Sequence, residues 1–534
     1  MEIISGEKLK EALMVGYEAL NNNKEAINVL NVFPVPDGDT GTNMSLTMRS
    51  AVKSISEVED NSIGAIAKAL SSGSLMGARG NSGVILSQLC RGVYKAFKKK
   101  ENASIEDFNQ AFICAKETAY KAVMKPTEGT MLTVAREMAE FSEANYQKYT
   151  DLVIFLRDAL NVGKDALRRT PEMLPALKEA GVVDAGGQGI LTILEGVVLS
   201  LEGKSIDDLK ISDFNEDNED KNISEYDYKI EFYLIANEDV KADFENEISH
   251  FSNTLVEVRG SRLMRVTSET NNPGQVLELA INRGAISDLS LDNLKLEEKI
   301  EDLENEEVEE VENPETRKTY GFVSVSLGDG FSEIFKNFGV DEIISGGQTM
   351  NPSTEDILKA VKRINADNIF ILPNNKNIIM AAKQVKYLTD KNIITLETKT
   401  IPQGFSSLLE FDESKTVEEN AQDMTDAINN VKTLQITYSV RDTSIDGMEI
   451  KKDEYIGLLE NKLVSHGPEI YPVFEDLLTR ADPEDLGLIS VYYGQDVTEA
   501  ACIDLVERLK TKFKADFEII NGGQPLYYYI VSVE

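Results

Sequence analysis

Four glycine-rich polar loops interrupt the first two hundred residues, and each runs straight into an apolar helix. Between them the chain keeps a helical period. Leu9, Leu13, Tyr17 and Leu20 share one face, and the pattern continues through residues 43–55, 63–75, 82–97, 105–123, 131–141 and 151–167. Gly, Pro or Asn breaks it, as at Pro34, residues 73–80, Pro126 and Pro171. This spacing predicts an all-α bundle of about eight helices.

The first loop, Asn31-Val-Phe-Pro-Val-Pro-Asp-Gly-Asp-Thr-Gly-Thr-Asn-Met44, sets Asp37 and Asp39 on either side of Gly38 and is stiffened by Pro34 and Pro36. Carboxylates two apart across a glycine can converge on one hard cation, and glycine lets backbone approach phosphate oxygens. It reads as a magnesium–nucleotide loop; a turn alone accounts for one Asp but hardly two. The second loop is Met76-Gly-Ala-Arg-Gly-Asn-Ser-Gly83. A glycine-rich turn that opens a helix presents free N–H groups and a positive dipole end. Asn81 and Ser82 add side-chain donors there, and Arg79 adds a full charge. The third and fourth loops are Lys125-Pro-Thr-Glu-Gly-Thr-Met131 and Val183-Asp-Ala-Gly-Gly-Gln-Gly189. Taken singly, each of the last three also reads as an ordinary helix cap. The P-loop pattern G-x-x-x-x-G-K-[ST] and the protein-kinase set of Gly-rich loop, H-R-D and D-F-G are both missing, so a nucleotide site here is of another kind.

Charge narrows the function classes. The 534 residues carry 92 acidic and 55 basic side chains, a formal net charge of −37. Such a surface repels nucleic acid and anionic membrane. An ATP site inside that field needs metal and local Arg or Lys. Cys90, Cys114 and Cys502 form no CxxC pair and predict neither a disulfide framework nor a zinc ribbon. No signal peptide is evident, and the best apolar run, residues 190–201, carries Glu195 and is too short to span a bilayer. The expectation is a cytoplasmic protein that is not integral to a membrane.

The pattern changes downstream. The expected order is a helical domain at 1–205, an acidic linker at 206–225, a small α+β domain at 226–295, a second acidic linker at 296–318, and an α/β domain at 319–534. In the α+β part, strand-like runs (229–235, 261–267) alternate with helix-like ones (240–253, 273–282). The second acidic stretch reads as extended linker or as a short solvated helix. From residue 320, buried strand-like runs at 321–327, 342–345, 368–372 and 393–397 alternate with helix-like stretches at 331–338, 354–364 and 377–388. That alternation implies a parallel α/β sheet. A final lobe has strands near 434–440, 486–493 and 527–533 and a helix at 498–513.

Residues 31–44, Ala78-Arg-Gly-Asn-Ser-Gly83, the loop at 125–131 and Asp184-Ala-Gly-Gly resemble the nucleotide-binding L-subunit domain of dihydroxyacetone kinases. Over nearly its full length the chain is more closely similar to the bacterial fatty acid kinase catalytic subunit. Ile344-Ser-Gly-Gly-Gln-Thr-Met-Asn-Pro-Ser-Thr354 and Asn521-Gly-Gly-Gln-Pro-Leu526 carry that likeness. The resemblance implies a helical barrel binding ATP and Mg2+ at one end, a middle domain and a C-terminal domain. It also implies a separate fatty-acid-binding partner of the DegV-like family, and leaves a homodimer open. It makes Asp37 and Asp39 magnesium ligands, puts the phosphates near Thr42, Asn43, Met44, Asn81, Ser82 and Gly83, and sets Thr130, Met131 and Asp184 near the rest of the nucleotide. Asn31 stands where the dihydroxyacetone kinase pattern has a further aspartate. Where many family members hold zinc, this chain has Lys229, Thr267 and Glu269, a set unsuited to the metal. No zinc is expected, and a Lys229–Glu269 ion pair is the expected replacement.

The residues are consistent with a carboxylate acceptor without fixing it. An alcohol usually needs a general base; a carboxylate is already ionised at neutral pH and needs none. Only two histidines exist, His250 and His466, both far in sequence from the four loops. Asp37, Asp39 and Arg79 are the expected catalytic groups, with Arg79 stabilising charge on the moving phosphoryl group or serving only as a structural arginine. A fatty acid also needs an apolar tunnel, and no segment announces one, which fits delivery by a partner. The loop at Gly346 is either the docking surface for that partner or a tight β–α turn. The leading expectation is thus a fatty acid kinase making acyl phosphate for phospholipid synthesis. The alternatives are a dihydroxyacetone-type ketose kinase and a non-enzymatic nucleotide-sensing scaffold.

Overall fold

A computed structural model describes residues 2–33, 38–123, 125–204, 228–236, 247–248, 252–258, 263–293, 317–347, 351–439, 443–445, 448–481 and 487–533. Asp37, His250, the Gln348–Met350 part of the Gly346 loop and the expected acidic linkers, apart from Arg317 and Lys318, lie outside them. The chain divides into two compact units, residues 1–210 with 310–534, and residues 211–309.

The first unit begins with a short strand, β1 (Ile3–Ser5), paired antiparallel with β2 (Asn102–Ser104). Around this tie eight long helices form a ring: α1 (Gly6–Asn22), α3 (Thr40–Ser56), α4 (Ile63–Met76), α5 (Gly80–Phe97), α6 (Ile105–Ala122), α7 (Met131–Asn145), α8 (Leu152–Arg168) and α11 (Ala185–Glu202). Neighbours pack in the order α1, α3, α4, α5, α6, α7, α8, α11, and α11 returns to α1, so the ring closes as a barrel. Short helices α2 (Lys24–Val29), α9 (Thr170–Met173) and α10 (Pro175–Ala180) fill the connections. The period read from the sequence has the expected cause: each helix turns one apolar stripe inward, as Leu9, Met48, Leu89, Phe108, Leu156 and Leu191 do. Close approaches depend on glycine. A Cβ on Gly92 would lie 2.3 Å from Ala115 Cα, so α5 and α6 touch backbone to backbone. The barrel interior encloses an apolar cavity of about 190 Å³, lined among others by Leu13, Leu86, Val93, Phe112 and Ile193. No sequence segment announced this space, because its lining residues are the ordinary core positions of separate helices.

The C-terminal part of the same unit is α/β. Strands β7 (Lys318–Ser326), β8 (Glu342–Ser345), β9 (Ala366–Leu372) and β10 (Asn392–Thr395) form an all-parallel sheet in the order β10-β9-β7-β8. It is flanked by α13 (Asp329–Asn337), α14 (Thr354–Arg363), α15 (Ile379–Val385), α16 (Ile401–Leu409) and α17 (Val417–Asn430). The strands read as largely apolar runs (Phe322, Val323 and Val325 around a buried Ser324; Ile369 to Leu372) because both faces are covered. A six-stranded mixed sheet follows, ordered β15-β14-β11-β18-β16-β17. Its members are β11 (Lys432–Tyr438), β14 (Tyr455–Leu459), β15 (Lys462–Gly467), β16 (Leu488–Tyr493), β17 (Asp516–Asn521) and β18 (Tyr529–Val533). A small hairpin, β12 (Thr443–Ile445) with β13 (Met448–Ile450), precedes β14, and helices α18 (Ile470–Arg480) and α19 (Glu499–Lys510) belong to this lobe. The sequence missed β14, β15 and β17.

The second unit is built on a four-stranded antiparallel sheet, ordered β4-β5-β3-β6. Its strands are β3 (Tyr228–Ala236), β4 (Ser252–Val258), β5 (Leu263–Thr270) and β6 (Gly284–Asn293), and α12 (Pro273–Ile281) lies between β5 and β6. Two expectations change here. Residues 252–253, read as the end of a helix, open β4, where alternating Thr254, Val256 and Val258 favour strand. Residues 284–293 add a strand the sequence reading did not assign. The backbone register sets Lys229 opposite Glu269 and Thr267 opposite Glu231.

Candidate nucleotide site

The four glycine-rich loops meet. A cavity of about 290 Å³ at one end of the barrel is lined by Asn31, Phe33, Asp39, Thr40, Asn43, Asn81, Ser82, Ile85, Val123, Lys125, Thr127, Thr130, Met131, Leu132, Asp184, Gly186, Asn377 and Met380. Helices α3, α5, α7 and α11 all start there, so four positive dipole ends face one space.

The four starts are not alike. Thr130 caps α7, accepting from Leu132 N–H at 3.4 Å, and Asp184 caps α11, accepting from Gly187 N–H at 2.7 Å. At α3 and α5 the N-cap residues are Asp39 and Arg79, and neither makes a side-chain cap bond. At α3 the Thr42 N–H is taken by Asn28 Oδ1, which leaves the Thr40 and Gly41 N–H groups, together with the first-turn N–H groups of α5, without a side-chain cap bond among the described residues. Gly80 has φ +58°, and a Cβ there would lie 2.6 Å from Asn43 Nδ2, so the second loop needs glycine for both backbone angle and space.

The expected site residues divide. Asp39, Asn43, Asn81, Ser82, Thr130, Met131 and Asp184 line the cavity. Asn31, buried in the same wall, is also present. Asp39 accepts a hydrogen bond from Asn351 Nδ2 at 2.7 Å through Oδ2. Asp184 is buried, accepts from the N–H groups of Gly187 and Met131, and has its carboxyl pushed up to about 6 by desolvation.

Thr42, Met44, Gly83 and Arg79 do not line the cavity. Thr42 is engaged with Asn28: its hydroxyl accepts from Nδ2 at 3.0 Å and its N–H donates to Oδ1 at 3.1 Å, tying α2 to α3. Met44 is fully buried and its thioether packs where Gly189 leaves room. Gly83 lets α5 cross α3, since a Cβ would lie 2.4 Å from Thr47 Oγ1. The Arg79 guanidinium donates to the Asn351 carbonyl at 3.1 Å and lies 3.5 Å from the Asp356 carboxylate. It faces the C-terminal domain, the arrangement that the structural-arginine alternative describes.

Sequence reasoning missed Phe33, Thr40, Lys125 and Thr127, and two residues from far along the chain. Asn377 and Met380 close the cavity from the C-terminal α/β domain, and Asn81 Nδ2 donates to Asn377 Oδ1 at 3.0 Å. Lys125 supplies a cation at the rim. Its signal was legible, since it opens the third loop. Asn377 sits in a polar run, Asn374-Asn-Lys-Asn377, at the start of a stretch read only as helix-like. Ala78 and Val84, on either side of Gly80, are buried in one cluster with Ile357, Val361 and Ile378, so the second loop is wedged into the α/β domain. His466 pairs with Glu454 at 3.0 Å, and no histidine lines the cavity among the described residues. Among them, too, no helix is long and apolar enough to cross a membrane.

Known proteins share these regions. Residues 34–199 match the DAK2 domain, 225–300 the FakA-like middle domain of fatty acid kinases, and 321–534 the FakA-like C-terminal domain. Protein YloV of Bacillus subtilis (strain 168) is 39% identical over 551 residues, spanning 99% of this chain and 99% of that protein. Likeness to solved structures is low. The dihydroxyacetone kinase from C. freundii in complex with AMP-PNP and Mg2+ gives a TM-score of 0.29 at 17% identity, covering 36% of this chain and 33% of that one. A fatty-acid-binding DegV family protein from Thermus thermophilus gives 0.31 at 11%, covering 40% and 99%. Full-length identity to YloV and the three matched regions agree: the chain belongs to the FakA-like fatty acid kinase family.

Proposed function

We propose that this protein is the ATP-dependent catalytic subunit of a fatty acid kinase. It transfers the γ-phosphoryl group of ATP to the carboxylate of a fatty acid held by a separate DegV-like fatty-acid-binding protein, and the acyl phosphate serves phospholipid synthesis. One observation carries the reading: four helix starts share a polar cavity in a chain whose middle and C-terminal regions both match FakA-like fatty acid kinase domains. The chain's own apolar cavity lies inside the barrel and shares no lining residue with the polar one, which is compatible with an acyl chain carried by a second polypeptide.

The cavity fits a magnesium nucleotide by the chemistry of its donors. Asp39 presents a carboxylate with one oxygen held by Asn351, and Asp37 lies two residues before it. These two would hold Mg2+, which on binding neutralises phosphate charge inside a strongly acidic protein. The chain's own groups do the rest. N–H groups opening α3 and α5 bind phosphate oxygens, with Asn43, Asn81 and Ser82 as side-chain donors and Lys125 as a cation at the rim. Thr130, Met131 and Asp184 form the opposite wall. A carboxylate acceptor arrives ionised, so the site has no need of a general base.

Incubation with ATP, Mg2+ and oleate, with and without a DegV-like partner from the same cell, tests the reading. Partner-dependent acyl phosphate supports it. Turnover of dihydroxyacetone points to a ketose kinase, and nucleotide binding without turnover to a sensing scaffold. The middle unit is further proposed to be zinc-free; one zinc per chain in elemental analysis of the purified protein would contradict that.

A further inference from the structure

Two asparagines reach the nucleotide cavity from the far end of the chain. Asn351 follows β8 and Asn377 follows β9, so both leave the carboxyl ends of neighbouring or next-neighbouring strands in the parallel sheet. In open α/β sheets that edge is where ligands are contacted. Here it is pressed against the barrel. The Thr354 N–H donates to the Ala78 carbonyl at 3.1 Å, the Asn351 carbonyl accepts from Arg79, and Asn351 Nδ2 donates to Asp39 Oδ2. Asn351 is 2% exposed, and its own Oδ1 has no hydrogen-bond partner among the described residues. A buried amide oxygen without a donor is unfavourable, and such atoms are retained where a bound group completes them.

We propose that the C-terminal α/β domain completes the nucleotide site in cis, with Asn351 as a positioning residue for Asp39. This rests on the nucleotide reading of the cavity. The amide fixes one carboxylate oxygen of Asp39 and so orients the other toward the cation. Groups that hold a metal ligand in this way typically alter metal affinity 10–100-fold when removed. The barrel alone would then present Asp39 in many orientations, and the site would be incomplete without the second domain. Arg79 is part of the same device, since it grips the Asn351 carbonyl and Asp356 together.

Calorimetric titration of the full chain with AMP-PNP, in excess Mg2+ and again in EDTA, tests this. Asn351→Leu keeps the volume and removes the donor, and Asn351→Ala removes both. Each is expected to weaken magnesium-dependent binding roughly 10–100-fold while leaving metal-free binding within about twofold. Gln384→Ala loosens a domain contact remote from Asp39, the 3.4 Å bond from Gln88, and is expected to change neither. Equal losses with and without Mg2+ would make Asn351 mere interdomain glue and overturn the proposal, as would unchanged binding. No binding by the unsubstituted chain would remove the functional reading and this inference with it. If both Asn351 variants unfold, hydrogen exchange on the unsubstituted chain decides. Amides at 351–354 should slow with Mg-AMP-PNP and not with AMP-PNP in EDTA; no difference overturns the proposal.

Discussion

The helix starts at α3 and α5 and those at α7 and α11 face the same cavity, and they are built differently. The latter pair close their own first turns, with Thr130 and Asp184 as caps. The former pair have Asp39 and Arg79 at the cap position, and neither side chain makes a cap bond; at α3 only the Thr42 N–H is taken, by Asn28 from α2. A cap side chain consumes the N–H groups that would otherwise bind an anion. On the proposed function, the difference separates the wall offered to phosphate from the wall that shapes the space.

The largest effect should come from the uncapped side. Asp39→Ala is expected to lower partner-dependent acyl phosphate formation on the order of a thousandfold, measured as initial rate at saturating ATP. A loss under tenfold would remove Asp39 from the chemistry. Gly80→Ala should follow. The substitution forces an alanine to φ +58° and drives its Cβ into Asn43. Nucleotide affinity should fall by tenfold or more, with roughly 1–3 kcal/mol of strain. On the capped side, Gly186→Ala would meet the flexible Met131 thioether at 3.0 Å, with Met131 Cβ and Asp184 Oδ2 at 3.3 Å, all side-chain atoms at no less than 3.0 Å. It should shift affinity by less than about threefold. Equal effects of the two glycine substitutions would erase the comparison.

Asp184→Asn tests the capped wall through pH. Burial lifts the Asp184 carboxyl to about 6, above the unfolded value near 4. The folded state thus prefers the protonated form, and stability from this group is fully present below about pH 4 and lost as pH rises through about 6. The neutral amide escapes that loss and can still accept the Gly187 bond. Urea unfolding should find the variant more stable than the parent at pH 8, by up to about 3 kcal/mol, and the gap should narrow at pH 5. A gap that widens at pH 5 would contradict the assignment. Thr130→Ala should have the smallest effect. Its cap bond is long, so about 0.5–1 kcal/mol of stability is expected, with little change in nucleotide affinity.

Much of this was legible in the sequence where one element carries its own signal. The eight long helices follow from apolar stripes, and the parallel sheet from buried β runs between helical ones. The loops announced themselves through glycine and paired carboxylates. What was not legible depends on distant segments meeting. Met44 and Gly83 stand inside the right motifs but serve packing, because α3 and α5 cross at Thr47 and Gly189 accommodates a thioether. Arg79 read either as a group stabilising the moving phosphoryl or as a structural arginine, and its contacts with Asn351 and Asp356, more than 270 residues later, were not visible in the sequence. The apolar cavity is assembled from core positions of separate helices, none unusual by itself. Strands β15 and β17 lie in stretches of mixed polarity, and β14 is a five-residue run interrupted by Gly457; their pairing with neighbouring strands is what the sequence does not display.

A crystal structure of the full chain with AMP-PNP and Mg2+ tests the central claim most directly. The account predicts the phosphates against the first turns of α3 and α5, with Asp39 at the cation and Asn351 still on its carboxylate. Phosphates seated on α7 and α11, or nucleotide bound outside this cavity, would contradict it.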